Sequence, residues 1–175
     1  QVLEAQGRTV APLPLVPTMT AALAIDAFGS PEQRQAYLPG VADGSVVLTA
    51  ALQEYLNDDV RSPNATATRG DDGTWTVTGT KVMVEFLEQA HRVLLAARTP
   101  DGAAVFLVDP KASGISTVRG VTSRFEPVHE LHLDGTPAEL LGSVERGAEI
   151  LAFTHDRALG MLCSVQLGVT DKQMR

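Results

Sequence analysis

The sequence predicts an α+β chain in three successive parts: a helical N-terminal segment, an all-β middle and a long C-terminal helix. Two observations carry that expectation. Hydrophobic periodicity is helical up to about residue 44, switches to alternation from residue 46, and returns to helical spacing from about residue 145. Between 46 and 134 the apolar runs recur every ~8–12 residues with no helical pattern among them, which points to an antiparallel barrel or sandwich rather than a βαβ sheet. The expected boundaries are residues 1–44, 45–143 and 144–175.

Residues 1–7 read as the last turns of a helix, with Gly7 placed as its C-terminal cap. Pro12, Pro14 and Pro17 then favour an extended connector, after which Thr18 is expected to cap a helix over 19–28. Ser30, Pro31 and Gln33 form a complete start signal: N-cap, first-turn proline and capping-box partner. That helix is expected to reach about Leu38 and stop at Pro39-Gly40, with a further turn to Gly44. About seven strands follow, at 46–52, 65–69, 74–84, 92–99, 103–109, 115–121 and 128–134. Gly70-Asp71-Asp72-Gly73 and Pro100-Asp101-Gly102 supply hairpin turns. In the last part Ile150, Thr154, Ala158, Leu162, Val165 and Val169 keep helical spacing. Residues 158–169 are apolar nearly all round, so burial on most sides is expected, with Cys163 a buried structural thiol.

Hydrophobic content of 44% and charged content of 20% are those of a folded globular chain. The net charge of −7 repels phosphate backbones and anionic membranes, and no basic cluster overrides it, so neither nucleic acid nor a membrane is an expected partner. One cysteine excludes an internal disulfide framework, no signal-peptide pattern opens the chain, and no apolar run reaches the ~18–20 residues of a span. A cytoplasmic location is the expectation. The chain opens at Gln1 without Met and closes inside a helical pattern, as a piece of a longer protein would.

No GxGxxG, P-loop or GxSxG pattern is present. His129 and His132 sit three apart on an expected strand and therefore face opposite ways, which disfavours a shared metal. The paired acids Asp58-Asp59 and Asp71-Asp72 fall in turns. The stretch 46–85 draws attention because a strand delivers its end to a polar loop, Gln53-Glu54-Tyr55-Leu56-Asn57-Asp58-Asp59, a common way to mount a site on a scaffold.

The order and wording of the segments resemble the acyl-CoA dehydrogenase family. Gly29-Ser30-Pro31-Glu32-Gln33-Arg34-Gln35-Ala36-Tyr37-Leu38-Pro39 is similar to that family's helix before its middle domain. Asp72-Gly73-Thr74-Trp75-Thr76-Val77-Thr78-Gly79-Thr80-Lys81 is similar to its hairpin "d-G-x-y-v-l-N-G-x-K". Residues 92–99 and 104–109 resemble the next two strands, and Leu140-Leu141-Gly142 with Arg146-Gly147 the entry to the C-terminal helices. The resemblance implies a middle β-barrel followed by the start of a four-helix bundle. It further implies FAD as cofactor, an acyl-CoA thioester of lipid or steroid side-chain origin as substrate, α,β-dehydrogenation as the reaction, and a homo- or hetero-oligomer. By position, Leu52, Gln53, Asp58, Met83, Val84 and Glu85 would line or approach the flavin. The family's catalytic glutamate usually comes from the bundle, so no residue here is assigned as the base.

Two departures accompany the resemblance. The family's loop "T-E-P-x-x-G-S-D" is here Gln53-Glu54-Tyr55-Leu56-Asn57-Asp58-Asp59, one residue shorter and carrying Asp58 where a small residue would face a pyrophosphate. The family's "K-x-W-I-T" is here Lys81-Val82-Met83-Val84-Glu85. These departures imply an alternative, a non-catalytic partner subunit without its own flavin site.

Overall fold

The computed structural model describes residues 1–123 and 126–174. Three helices open the chain, α1 (Val2–Thr9), α2 (Leu15–Phe28) and α3 (Pro31–Asp43). Among the described residues seven strands follow: β1 (Leu48–Ala51), β2 (Thr66–Arg69), β3 (Trp75–Glu85), β4 (Arg92–Thr99), β5 (Gly102–Val108), β6 (Ile115–Gly120) and β7 (Val128–Leu140). A 27-residue helix, α4 (Gly147–Gln173), closes the fold. Arg175, the last position of the expected C-terminal part, lies outside the described residues. The α+β order of helices, β-barrel and helix is as the sequence predicts.

Helix α3 starts as its signal requires. The Ser30 hydroxyl accepts from the Gln33 backbone N–H at 3.2 Å, and the Gln33 side-chain oxygen accepts from the Ser30 N–H at 3.0 Å. The Gln33 amide nitrogen then donates to Leu140 O and to a Glu139 carboxylate oxygen, tying the helix start to the end of β7. Ser30→Ala is expected to cost about 1 kcal/mol, read as a lower urea midpoint at unchanged slope. The helix does not stop at Pro39. Both Pro39 and Gln35, whose carbonyl loses its donor, face solvent, so the proline costs little there, and Gly44 in the left-handed region ends the helix instead.

Two other expected caps are corrected. Gly7 lies inside α1, which is capped by Val10 in the left-handed conformation. The Gly7 backbone is pressed against α4: a Cβ there would lie 2.0 Å from the Val165 carbonyl oxygen. Thr18 is likewise interior to a helix, because α2 starts earlier, at Leu15, with Pro17 in its first turn. The freed Thr18 hydroxyl donates to Leu48 O at 2.7 Å and ties α2 to β1.

Strands β4, β2, β3, β7 and β5 pair in that order, and β5 pairs back to β4, which closes the ring. The pairings are antiparallel except β1 with β4 and a single parallel bridge between β2 and β4. β1 and β6 are attached outside the ring, on β4 and β7. Alternation sorts the side chains of β4 and β5 between two cores. Val93, Leu95, Ala97 and Phe106 fill the barrel, whereas Leu94, Ala96, Val105 and Leu107 pack outward with Ile25, Ile150 and Leu151 of the helices. Both faces of these strands are thus buried, which is why they read as near-continuous apolar runs. β7 continues six residues past its expected end, crossing from β3 to β5.

α4 packs on α1, α2 and β5 along one side only. Leu159, Leu162 and Leu167 are exposed, and so is Cys163, contrary to the expected buried thiol. The reason is positional: Leu159, Cys163 and Leu167 recur every four residues on the side turned away from those elements.

Candidate functional site

A cavity of about 350 Å³ opens where the end of β1, the C-terminal half of β3, α2 and α4 meet. Leu52, Gln53, Val82, Met83 and Glu85 line it from the sheet side, and Val16, Pro17, Thr20, Ala158 and Leu162 from the two helices. Thr20 has its hydroxyl spent on Val16 O at 2.8 Å.

The sheet-side wall is set by a bulge. Lys81 pairs with Leu131 and Val84 with His129, so β3 carries one more residue than β7 across this interval. Met83 takes up the excess in the left-handed region, φ 54°, and the residue is 52% exposed. The shift places both Lys81 and Val84 inward, each fully buried. Of the six residues expected at a flavin, Leu52, Gln53, Met83 and Glu85 therefore share the cavity. Val84 is turned into the barrel core by the bulge, where it packs among the interior residues. Asp58 lies in a different cleft, of about 360 Å³, with Asp59, Arg61, His155 and Asp156.

Behind the wall sits an ion pair. The Lys81 ammonium donates to a Glu54 carboxylate oxygen at 2.6 Å, with side-chain exposures of 0% and 3%. Glu54 also accepts from the backbone N–H groups of Asn64 (2.5 Å) and Ala65 (3.0 Å) and from the Asn57 amide. Burial acts against the Glu54 carboxylate, but hydrogen bonds from Lys81, Asn64 and Ala65 outweigh it and hold the group below its ordinary value. Burial lowers Lys81 from its ordinary value, opposed by the hydrogen bond and charge of Glu54. Sequence reasoning missed this pair. The available signal was strand phase: Val77 and Lys81 share a face, and a lysine on a buried face needs an acid to meet it.

Elsewhere the polar groups hold the frame. Tyr55 donates to Glu130 at 2.6 Å, His129 meets Glu88 at 3.2 Å, and His132 meets Thr80 and Glu130 at 3.1 Å each. His129 and His132 thus engage different partners. Among the described residues no group of three His, Cys, Asp or Glu side chains could hold a metal ion, and no helix is long and apolar enough to cross a membrane.

An FAD molecule can be tested against these surfaces. Its ring would find an apolar wall in Leu52, Val82, Met83 and Leu162, with the Gln53 amide and the Glu85 carboxylate as polar members of the same lining. The cleft holding Asp58 is next along α4, since Ala152 precedes Ala158 by six residues, about 9 Å of helix. A diphosphate extending that way would meet Asp58, Asp59 and Asp156 against only Arg61 and His155, and Arg61 already pairs with Asp59 at 3.2 Å. The residues fit the ring end and do not fit the diphosphate end.

Comparison with known proteins identifies the scaffold. Residues 1–45 match the family model for the acyl-CoA dehydrogenase N-terminal domain. The acyl-CoA dehydrogenase FadE27 of Mycobacterium tuberculosis is 29% identical over 99% of this chain and 45% of its own length. FadE28 of the same organism is 38% identical over 62% of this chain and 29% of its own length. Among solved structures, the Tcur3481-Tcur3483 steroid ACAD G363A variant superposes with a TM-score of 0.89 at 45% identity, covering 97% of this chain and 45% of that one. The ChsE4-ChsE5 complex from Mycobacterium tuberculosis gives 0.87 at 28% identity, covering 99% and 47%. The chain spans less than half the length of the curated relatives it matches. FAD binding is typical of acyl-CoA dehydrogenase family members. In sequence and in its succession of helices, β-barrel and helix, the chain belongs to the acyl-CoA dehydrogenase family.

Proposed function

We propose that this chain serves in a two-component acyl-CoA dehydrogenase, α,β-dehydrogenating a lipid- or steroid-derived acyl-CoA thioester, as the subunit that cannot hold FAD by itself. The observation that carries this reading is the charge of the cleft next along α4 from the apolar wall: Asp58, Asp59 and Asp156 line it, and a dinucleotide diphosphate extending that way would meet all three. Two like charges brought together cost binding energy, and no exposed cation in that cleft is left over to offset them. The chain's own part in such an enzyme is to shape and dry one side of a pocket with Leu52, Val82 and Met83. No residue of this chain is assigned to proton or hydride transfer.

The relatives support the two-component reading. The names of two similar structures each join two proteins, and one of them is described as a steroid ACAD. The test is flavin absorbance of the purified full-length protein, alone and co-purified with its partner. The expected result is little or no flavin in the protein alone and bound FAD in the complex. Stoichiometric FAD in the protein alone would overturn the proposal and restore an independent flavoenzyme.

A further inference from the structure

We infer that Gln6 is a specificity-determining residue: its side-chain carbonyl accepts a hydrogen bond from a hydroxyl at the end of the acyl group remote from the thioester. The inference rests on the acyl-CoA reading proposed above and adds to it the chemistry of that end.

Three spaces follow one another along α4. The acidic cleft touches Ala152, His155 and Asp156, and the cavity at the apolar wall touches Ala158 and Leu162. A third, smaller chamber of about 60 Å³ touches Leu162, Val165 and Val169. Ala152 and Val169 lie about 25 Å apart along the helix. The chamber shares Val16, Pro17, Glu85 and Leu162 with the wall cavity and so continues it toward α1. Its far end is formed by α1 and the connector to α2, through Gln6, Val10 and Leu13. The space suits roughly two water-sized groups, so it takes the tip of a ligand that already fills the wall cavity.

Gln6 gives that tip something to meet. Its amide nitrogen donates to Ala11 O at 3.2 Å and to Leu13 O at 2.9 Å. Both partners are carbonyls, so the amide has one orientation only; reversed, its oxygen would face two acceptors. The oxygen Oε1 is thereby held in place, buried and without a hydrogen-bond partner among the described residues. An unmet buried acceptor is unfavourable, and a ligand that brings a donor relieves it. The other acids of the lining, Glu85 and Glu126, each have an interaction of their own, and as carboxylates they too accept rather than donate. A hydroxyl tip matches this chamber. A methyl tip leaves Oε1 unmet, and a ketone tip sets acceptor against acceptor. Sites built to bond a hydroxyl reject the analogue lacking it more sharply than size alone allows.

The test is equilibrium binding by titration calorimetry to the full-length protein in complex with its partner. The probes are straight-chain acyl-CoAs from octanoyl to hexadecanoyl, each ω-hydroxyacyl-CoA set against the acyl-CoA with a methyl in place of the hydroxyl. At the length that binds best, the hydroxylated ligand is expected to bind about tenfold more tightly. In Gln6→Met, which lacks the acceptor, the ratio is expected to fall to about one. Gln6→Glu also loses the ties to Ala11 and Leu13 but keeps an acceptor, and is expected to keep the preference. Any loosening of the connector acts on both ligands of a pair and drops out of the ratio. Equal affinities in the unmutated protein would overturn the inference and leave the proposed function standing, as would a preference that survives Gln6→Met. If Gln6→Met does not fold, Gln6→Glu decides, and a preference lost there overturns the inference. If no acyl-CoA binds at all, the proposed substrate class fails and the inference falls with it. If the protein alone carries stoichiometric FAD, the two-component reading fails while the ratio still decides the role of Gln6.

Discussion

Gly168→Ala will destabilise the protein by about 3 kcal/mol, the upper range for forcing a methyl group into a packed crossing. The added Cβ would lie 2.0 Å from the Glu4 carbonyl oxygen and 2.9 Å from the Arg8 backbone nitrogen. The facing residue is Gly7, whose own Cβ would strike Val165 O at 2.0 Å. Each obstructing atom is main chain, so no side-chain rotation relieves the clash and the helices must separate. Around this crossing Arg8 pairs with Asp171 at 2.8 Å and with Glu4, an exposed bridge that contributes little and would not hold α1 in place. Urea unfolding measures the loss. Proteolysis near residues 1–13 gives a second reading, because α1 has few other neighbours. An unchanged urea midpoint would show that the crossing accommodates a methyl group without separation of the helices.

Lys81→Met will cost about 4 kcal/mol, as expected for removing one member of a buried pair and leaving the other charge without its partner. Against a total of roughly 5–15 kcal/mol for a domain this is a large fraction. Glu54 also links the pair to acid stability. Its folded value is lowered below the unfolded one of about 4.3, so its contribution is fully present above that pH and is lost as pH falls through the folded value. The stability gap between the protein and Glu54→Gln should therefore narrow steadily below about pH 4. A gap independent of pH between 6 and ~3 would show that the carboxylate is not held charged by its surroundings.

Much of the fold could be read in advance, and the reasons differ by element. β4 was legible at both ends because a continuous apolar run between Arg92 and the turn at Pro100-Asp101-Gly102 has few alternatives. α3 was legible at its start because the capping box is local chemistry, and illegible at its end because solvent excused Pro39. Gly7 shows the opposite failure. A glycine near a helix end suits a cap, but here it serves a helix that follows 140 residues later, and no local pattern carries that information.

The candidate site was half legible for a comparable reason. The family resemblance put Leu52, Gln53, Met83 and Glu85 at one place as a flavin wall, and these four share the lining of one cavity. Val84 left the group because one extra residue inverted the phase of β3 after Lys81, and a bulge is invisible to an alternation rule that assumes a regular strand. Asp58 left because the loop that carries it folds toward α4. The helix contribution from α2 and α4 could not be read from the strand motif at all, since it depends on how the helices dock.

The closed ring of β4, β2, β3, β7 and β5 also has a kinetic side. Its strands are joined by pairings between residues far apart in the chain: Trp75 with Ala138, Phe106 with Leu140. Loop-closure entropy must be met before those bonds form, so the ring is expected to zip late and slowly. Until β7 arrives, β3 and β5 each present an open edge, and the apolar faces of β4 and β5 are bare on both sides. Refolding yield should consequently fall as protein concentration rises, with aggregation competing against the last strand to be placed.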